Sequence, residues 1–222
     1  VCSSDLLSDE TRLATLLSLF ISLDGINEKG VSIAVLTLDS KPVRQQSGKP
    51  VIATTLAIRL ILDRAASTEE AVTLFEKYDM FASSGRDYHF YVTDSNGDGR
   101  VIEYDCNSDD RRLVVTKSPA VTNFFVMYKN FVKPYQKNDV YGHGRERYDK
   151  IINVLEKNNS YTKETAWEAL VSASQAPNPN DITSNTQWSI VYNNTNLTAD
   201  ISIRRDWNTV TKYSLKENKI TE

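Results

Sequence analysis

The chain has 222 residues, of which 40% are hydrophobic and 25% charged, and its net charge at neutral pH is −3. This length and composition are typical of one globular domain that can bury a sizeable core. The slightly acidic balance gives no electrostatic reason to expect nucleic acid or an anionic membrane surface as a partner, and no apolar run approaches the roughly 20 residues of a membrane helix.

The first residues do not resemble the start of a native protein, because no initiator methionine precedes Val1. We expect residues 1–6 to be a non-native leader and residues 7–222 to form a single but incomplete domain. Cys2 would then not be native, which leaves Cys106 as the only native cysteine. A single cysteine cannot form an internal disulfide bond, and this favours a reducing compartment, so we expect the protein to be cytoplasmic.

Blocks of helical and extended patterns alternate along the chain and predict an α+β fold. Apolar residues at helical spacing, several of them preceded by capping residues, predict helices over residues 8–20, 51–66, 68–77, 145–158 and 162–173. Apolar runs and period-two alternation predict strands over residues 31–38, 87–93, 101–105, 111–116, 119–127, 187–192, 198–203 and 210–215. The second and third helices are expected to cover one face of the sheet.

The stretch from Asp24 to Gly30 predicts a tight turn that leads into strand 31–38. Its two glycines can adopt backbone angles that are costly for other residues, and the side chains of Asp24 and Asn27 can bond neighbouring amides. The strand that follows is nearly uncharged, which is typical of a strand covered on both faces. We therefore expect this turn to lie beside the centre of the protein.

The stretch from Asp94 to Gly99 allows two interpretations. It supplies the first ligand positions of an EF-hand calcium loop, with Asp105 at the twelfth position. Its flanks are predicted strands, however, and the twelfth position normally carries the longer Glu, so a β-hairpin turn is favoured. His89 has no second histidine or cysteine at ligand spacing, and we expect it to hold a local hydrogen bond rather than a metal ion.

Two polar residues of the middle of the chain are candidates for a site. Asn123 falls in an apolar predicted strand, where an amide is costly to bury unless it has a task or several hydrogen-bond partners. Arg147 falls in the first turn of helix 145–158, where a cation is unfavourable and an anionic partner is expected. An exposed, solvated arginine is the interpretation that suits the neighbouring Arg145 better.

Five segments, in the same order, resemble signatures of the choloylglycine hydrolase family, the linear amide C–N hydrolases within the N-terminal-nucleophile hydrolases. The first of them is similar to the family's Asp-Gly-Met-Asn-Glu-Lys-Gly-Leu signature. The segments are residues 24–35, 84–104, 120–123, 147–148 and 186–189. The resemblance extends over almost everything from about Leu23 onward, and it implies an αββα sandwich of two stacked antiparallel sheets between layers of helices, here lacking its first strands.

The resemblance also implies roles for three residues. Asn123 matches the position whose side-chain amide donates a hydrogen bond to the oxyanion formed during amide cleavage. Arg147 matches the family's active-site arginine. Thr37 lies where bile-salt hydrolases often carry an Asn whose backbone amide completes the oxyanion hole, so its N–H is a candidate second donor, and the change favours a general acylase over a bile-salt specialist.

The family's nucleophile is a cysteine that opens the mature chain and is followed by an Arg and Asp pair. None of these precedes Asp24 here, and the nitrogen of Cys2 is held in a peptide bond with Val1. We therefore expect the chain as printed to lack its nucleophile and to be inactive.

The implied activity is the hydrolysis of linear amide C–N bonds in small N-acyl substrates through a cysteine acyl-enzyme. The expected partner is such a small molecule, with no cofactor, no nucleic acid and no membrane, and homo-oligomers are possible. Two alternatives remain open: a non-catalytic binding descendant of the same fold, and a calcium-binding module formed by residues 94–105.

Overall fold

The computed structural model describes residues 22–133, 144–158, 160–177 and 185–221. Residues 1–6, which we expect to be a leader, Cys2 and the predicted helix 8–20 lie outside these ranges. The described helices are α1 (Thr54–Arg64), α2 (Thr68–Phe75), α3 (Gly144–Lys157) and α4 (Lys163–Ala173). The described strands are β1 (Asp24–Ile26), β2 (Ser32–Leu38), β3 (Val51–Ala53), β4 (Asp79–Phe81), β5 (Asp87–Thr93), β6 (Gly99–Tyr104), β7 (Leu113–Lys117), β8 (Trp188–Asn193), β9 (Thr198–Ile203), β10 (Thr211–Ser214) and β11 (Lys219–Thr221).

The larger sheet within these ranges is antiparallel, in the order β1-β2-β5-β6-β7. The hairpin of β1 and β2 depends on Asn27, whose Oδ1 accepts hydrogen bonds from the backbone N–H groups of Lys29 and Val31, each at 3.0 Å. Gly30 completes the turn with a φ of 77°, in the left-handed region that favours glycine. The predicted tight turn is therefore confirmed.

Helices α1 and α2 cover one face of this sheet. Alternate side chains of β2, β5 and β6, among them Ile33, Phe90 and Ile102, pack against the apolar faces of both helices. Helix α2 begins at the predicted cap, where the Ser67 side chain accepts a hydrogen bond from Glu70 N at 3.2 Å. The predicted placement of these two helices is confirmed.

Helix α1 begins three residues later than the sequence predicts. Residues Val51–Ala53 form β3, which pairs in parallel with β4. The β-branched side chains of Val51 and Ile52 favour an extended conformation, and the pairing engages backbone groups that a helical turn would use.

A second antiparallel sheet of the described residues, in the order β11-β10-β9-β8, faces the other side of the larger sheet. Two hydrogen bonds join the sheets: Tyr192 OH donates to Asp24 Oδ1 at 2.6 Å, and Asn194 Nδ2 donates to Thr93 Oγ1 at 2.9 Å. Helix α4 packs against β8, and α3 packs against α4. The layers therefore follow the order helices, sheet, sheet, helices, as the αββα sandwich requires.

Strand β2 is less covered than its apolar sequence predicts. Its first two residues and its last are buried, but Ala34, Val35, Leu36 and Thr37 are only half-buried. The reason is that β1 pairs with only the first part of β2, through Ser32 to Ala34. Past Val35, the edge of β2 that faces β1 is thus open to hydrogen bonds with other groups.

The stretch from Asp94 to Gly99 forms the hairpin turn between β5 and β6, as favoured from the sequence. Asp94 Oδ1 accepts a hydrogen bond from Asn96 N at 2.9 Å, and Gly97 has a φ of 79°. Asp105 lies beyond the far end of β6, roughly 20 Å along the strand from the turn. The twelfth position of the calcium motif therefore does not meet the first positions.

Candidate active site

Asn123 lies in a bend rather than in the strand predicted over residues 119–127. Local hydrogen bonds shape this bend: Ser118 Oγ donates to Ala120 O at 2.7 Å, and Phe124 N donates to Thr122 O at 2.8 Å. Such local bonds compete with strand pairing. The chain then enters a 3₁₀ turn at Val126–Tyr128, so the predicted strand is wrong and Asn123 is held at a corner.

The three residues singled out from the sequence meet at this corner. Asn123 Nδ2 donates a hydrogen bond to Thr37 O at 2.8 Å, and Arg147 Nη2 donates to Asn123 Oδ1. All three residues are half-buried. The Asn123 side chain therefore joins Thr37 and Arg147, which lie 86 and 24 positions from it in the sequence.

The backbone N–H of Thr37 faces the same edge of β2 as its carbonyl. In an antiparallel ladder, each residue directs its N–H and C=O to the same neighbour, and successive residues alternate between neighbours. Val35 N donates to Leu23 O at 2.9 Å, on the β1 side. Thr37, two residues further on, therefore directs its N–H to that side as well, next to the Asn123 amide.

The start of helix α3 is pressed against the peptide of Asn123. Thr122 Oγ1 donates a hydrogen bond to Gly144 O, and a Cβ on Gly144 would lie 2.9 Å from both the carbonyl carbon and oxygen of Asn123. Only glycine allows this close approach, because real Cβ contacts of that length essentially do not occur. The close contact brings Arg147, one turn later, within reach of Asn123.

Arg145 is not the solvated arginine that the sequence suggested. Its side chain is 23% exposed and pairs with Asp149 at 2.9 Å. Its guanidinium also lies 6.0 Å from the ring centres of Phe124 and Tyr148, a distance at which cation–π attraction contributes. Arg145 thus helps to fix α3 on the bend that carries Asn123.

Two buried polar residues lie behind this bend: Glu103, which sequence reasoning missed, and His89, for which it expected only a local hydrogen bond. Glu103 is fully buried and accepts hydrogen bonds from Val126 N at 2.7 Å and Met127 N at 2.8 Å. His89, also fully buried, lies 3.0 Å from Glu103 through its Nδ1. The expected local hydrogen bond of His89 is confirmed. The sequence did carry a signal for Glu103, because its carboxylate stands among the apolar residues of the predicted strand 101–105.

Cys106 is poorly suited to act as a nucleophile. Burial raises the pKa of its thiol, whereas reactive cysteines have a lowered pKa. Its nitrogen lies within the chain, so it also lacks the free α-amine that an N-terminal nucleophile uses.

Three carboxylates, those of Glu69, Asp94 and Asp98, have oxygen atoms within 4.8 Å of one another. Arg100 already compensates two of them, because its guanidinium bonds Asp98 at 2.6 Å and also bonds Glu69. Thr68 donates from its backbone N to Asp94 at 3.1 Å, and its single hydroxyl proton is shared between Asp98 at 2.7 Å and Asp94 at 3.1 Å. The cluster therefore caps helix α2 and ties it to the β5–β6 turn.

Comparison with solved structures shows which known folds this chain resembles. The fold is similar to a variant of conjugated bile acid hydrolase from Clostridium perfringens, with a TM-score of 0.67 and 15% identity over 90% of this chain and 76% of that chain. It is also similar to penicillin V acylase from Agrobacterium tumefaciens, with a TM-score of 0.62 and 15% identity over 90% of this chain and 70% of that one. The chain thus has the N-terminal-nucleophile hydrolase fold predicted from its sequence.

The family model described as acyl-coenzyme A:6-aminopenicillanic acid acyl-transferase matches residues 16–206. The chain belongs to this family, and the predicted relationship to the choloylglycine hydrolases is confirmed. Comparison with curated protein sequences gives no match. None of the helices in the described ranges has the length and apolar character needed to cross a bilayer.

Proposed function

We propose that this chain is part of a cysteine amidohydrolase, an enzyme that cleaves linear amide C–N bonds of small N-acyl substrates. Asn123 and Thr37 act as its oxyanion donors. The observation that carries the proposal is the hydrogen-bonded chain from Arg147 through Asn123 to Thr37. Two donors that converge on one point are what a tetrahedral oxyanion requires.

Each member of this chain has a distinct task in the proposal. The Asn123 amide nitrogen has two protons; one goes to Thr37 O, which fixes the plane of the amide, and the other is directed to the oxyanion. The N–H of Thr37 supplies the second donor. Arg147 holds Asn123 Oδ1, which orients the amide, and its positive charge polarises the amide so that the N–H donates more strongly.

The chemistry requires a cysteine with a free α-amine. Its thiolate attacks the substrate carbonyl carbon, a C–S bond forms, and the carbonyl oxygen becomes the oxyanion. The C–N bond then breaks, and the leaving amine takes the proton held by the α-amine. Water attacks the thioester, the C–S bond breaks, and the acid and thiol are released. Release by an amine instead of water would give acyl transfer.

Cys106 does not fill this role, and Cys2 lies outside the described residues. We propose that the chain as printed does not turn over substrate. The test is to recover the gene's own sequence ahead of Leu7, express the protein with it, and measure primary amine released from penicillin V and from a conjugated bile acid. A cysteine at a processed terminus with measurable amine release is expected.

Variants of that protein test the site. Asn123→Ala should lower kcat by roughly 10²- to 10³-fold, as loss of an oxyanion donor typically does. Asn194→Ala is the matched control, because this half-buried amide bonds Thr93 of the facing sheet, at the other end of the larger sheet from Thr37. If the recovered gene encodes no such cysteine and the protein binds penicillin V without cleaving it, a non-catalytic binding protein replaces the hydrolase.

A further inference from the structure

Two fully buried polar residues, Glu103 and His89, lie directly opposite each other on β6 and β5. The pairing of Phe90 with Ile102 sets this register, and both side chains point away from the face that α1 and α2 cover. His89 Nδ1 lies 3.0 Å from Glu103 Oε1. Since a carboxylate is an acceptor, the imidazole donates here.

The partners of Glu103 show what this pair holds. Its Oε1 accepts from Val126 N at 2.7 Å as well as from His89, and its Oε2 accepts from Met127 N at 2.8 Å. Burying a charged carboxylate is costly unless such bonds compensate it. Both oxygens are thus committed to the segment that follows Asn123.

The segment between these anchors links two strands of the larger sheet, β2 and β6, that are separated by β5. Asn123 is bonded to β2, while Val126 and Met127 are bonded to β6, two strands away in the order β2-β5-β6. Two strand spacings are roughly 9.6 Å, and three residues of extended chain reach roughly 10 Å. The segment from Asn123 to Val126 is therefore short enough that fixing Val126 limits the positions open to Asn123, and it crosses β5, the strand that carries His89.

We propose that Glu103, oriented by His89, is a positioning residue that sets where Asn123 meets Thr37. Fixing Val126 and Met127 restricts where Asn123, only three residues before Val126, can meet Thr37 O. The imidazole fixes the carboxylate so that each oxygen faces one backbone amide. This inference deepens the proposed function and rests on it, because it gives the oxyanion donor its supporting structure.

The test uses the side-chain amide signal of Asn123 in the NMR spectrum of the 222-residue protein, identified by its loss in Asn123→Ser. Glu103→Gln replaces one acceptor oxygen by a donor that faces a backbone N–H, so one anchor is lost. The Asn123 amide protons should then shift toward solvent-exposed values and exchange roughly tenfold faster or more.

His89 variants give a rescue experiment. His89→Asn places an amide N–H near the position of Nδ1, and His89 Nε2 has no hydrogen-bond partner among the described residues, so no second bond is lost. His89→Leu removes the donor. We expect the Leu variant to behave like Glu103→Gln and the Asn variant to stay within about twofold of the unchanged protein in exchange rate.

The matched control is Asp79→Asn. Asp79 is also a buried carboxylate that accepts backbone amides, those of Ser47, Gly48 and Lys49 at 2.7 to 3.2 Å, but its loop carries no site residue. It should lower the melting temperature and leave the Asn123 signal unchanged. An unchanged signal in both Glu103→Gln and His89→Leu overturns the inference; if Glu103→Gln does not fold, the two His89 variants decide.

The outcome is separable from that of the proposed function, because the NMR readout needs no turnover. If the Asn123 signal moves as expected but Asn123→Ala leaves amide hydrolysis by the complete protein intact, the hydrolase mechanism fails and the positioning role stands. If Asn123→Ala abolishes hydrolysis but the Asn123 amide signal does not respond to the Glu103 and His89 substitutions, the hydrolase mechanism stands and the positioning role fails.

Discussion

At the scale of single residues, Asn27 links the first hairpin to helix α1 through both ends of its amide. Its Oδ1 shapes the turn, and its Nδ2 donates to Leu62 O at 3.1 Å and to Ala65 O at 2.8 Å, at the end of the helix. We predict that Asn27→Asp lowers the free energy of unfolding by roughly 3 kcal/mol, since an oxygen would then face two helix-end carbonyls in a buried site.

Urea unfolding at neutral pH measures this effect, with Asn96→Asp as the control. Asn96→Asp changes the charge in the same way, but Asn96 is exposed in the β5–β6 turn. The free energy of unfolding should therefore change by no more than about 0.5 kcal/mol. Equal losses in the two variants would mean that charge, rather than the lost Nδ2 donors, determines the result.

The candidate site was predictable at this scale only as a set of residue types. The sequence indicated that Asn123 needed partners because an amide is costly to bury, and that Arg147 needed compensation at a helix start. It could not show that each satisfies the other, because their hydrogen bond depends on how the bend at residue 123 is folded. One partner of Arg147 is the amide oxygen of Asn123, a contact between two side chains that the sequence did not connect.

At the scale of elements, the contact between α3 and the Asn123 bend depends on Gly144. We predict that Gly144→Ala lowers the free energy of unfolding by roughly 2 kcal/mol, because its Cβ would press on rigid backbone. It should also change the Asn123 amide signal, since the helix that carries Arg147 must move.

Gly85→Ala is the control for this prediction. A Cβ at Gly85 meets nothing within 4 Å, but its φ of 76° makes alanine strained, at a cost of roughly 1 kcal/mol. Thermal unfolding should register both variants, while the Asn123 signal should respond only to Gly144→Ala. A response to Gly85→Ala would indicate general destabilisation rather than a displaced helix.

Elements with a strong period were predictable, and those defined by local polar bonds were not. Strand β9 and helices α3 and α4 occur within one residue of their predicted ends, because alternation or helical spacing matches the face that each buries. The segment 119–127 looked like a strand because it is apolar, but Ser118 and Thr122 bond nearby carbonyls and bend it. Strand β11 carries only three residues, too few for a periodic signal.

At the scale of the whole molecule, the order of layers followed from alternating strands and helices, but the links between layers did not. Tyr192 with Asp24, and Asn194 with Thr93, join the two sheets through residues that are 168 and 101 positions apart in the sequence. No short-range pattern marks such pairs. The Asp94 to Gly99 turn belongs to this level too, because its carboxylates accept hydrogen bonds from Thr68 at the start of helix α2.

The contact between this turn and helix α2 makes the free energy of unfolding depend on pH in the acid range. The hydrogen bond from Thr68 Oγ1, with help from Arg100 and Lys117, lowers the pKa of Asp98 to about 2. A pKa lowered in the folded state stabilises the fold above the unfolded pKa, near 4, and this contribution is lost as the pH falls toward 2. The side chain is 19% exposed, and the shift corresponds to about 2 kcal/mol.

We therefore predict that Asp98→Asn lowers the free energy of unfolding by about 2 kcal/mol at pH 7, and that the difference narrows between pH 4 and pH 2 as the native carboxylate takes up a proton. Urea unfolding across this range measures it. Asp63→Asn is the control, because its ion pair with Arg59 is half exposed and should contribute less than about 1 kcal/mol at any pH. The contrary result is a difference between the free energies of unfolding of Asp98→Asn and the unchanged protein that stays constant down to pH 2. That result would mean that the carboxylate charge does not hold the β5–β6 turn to α2.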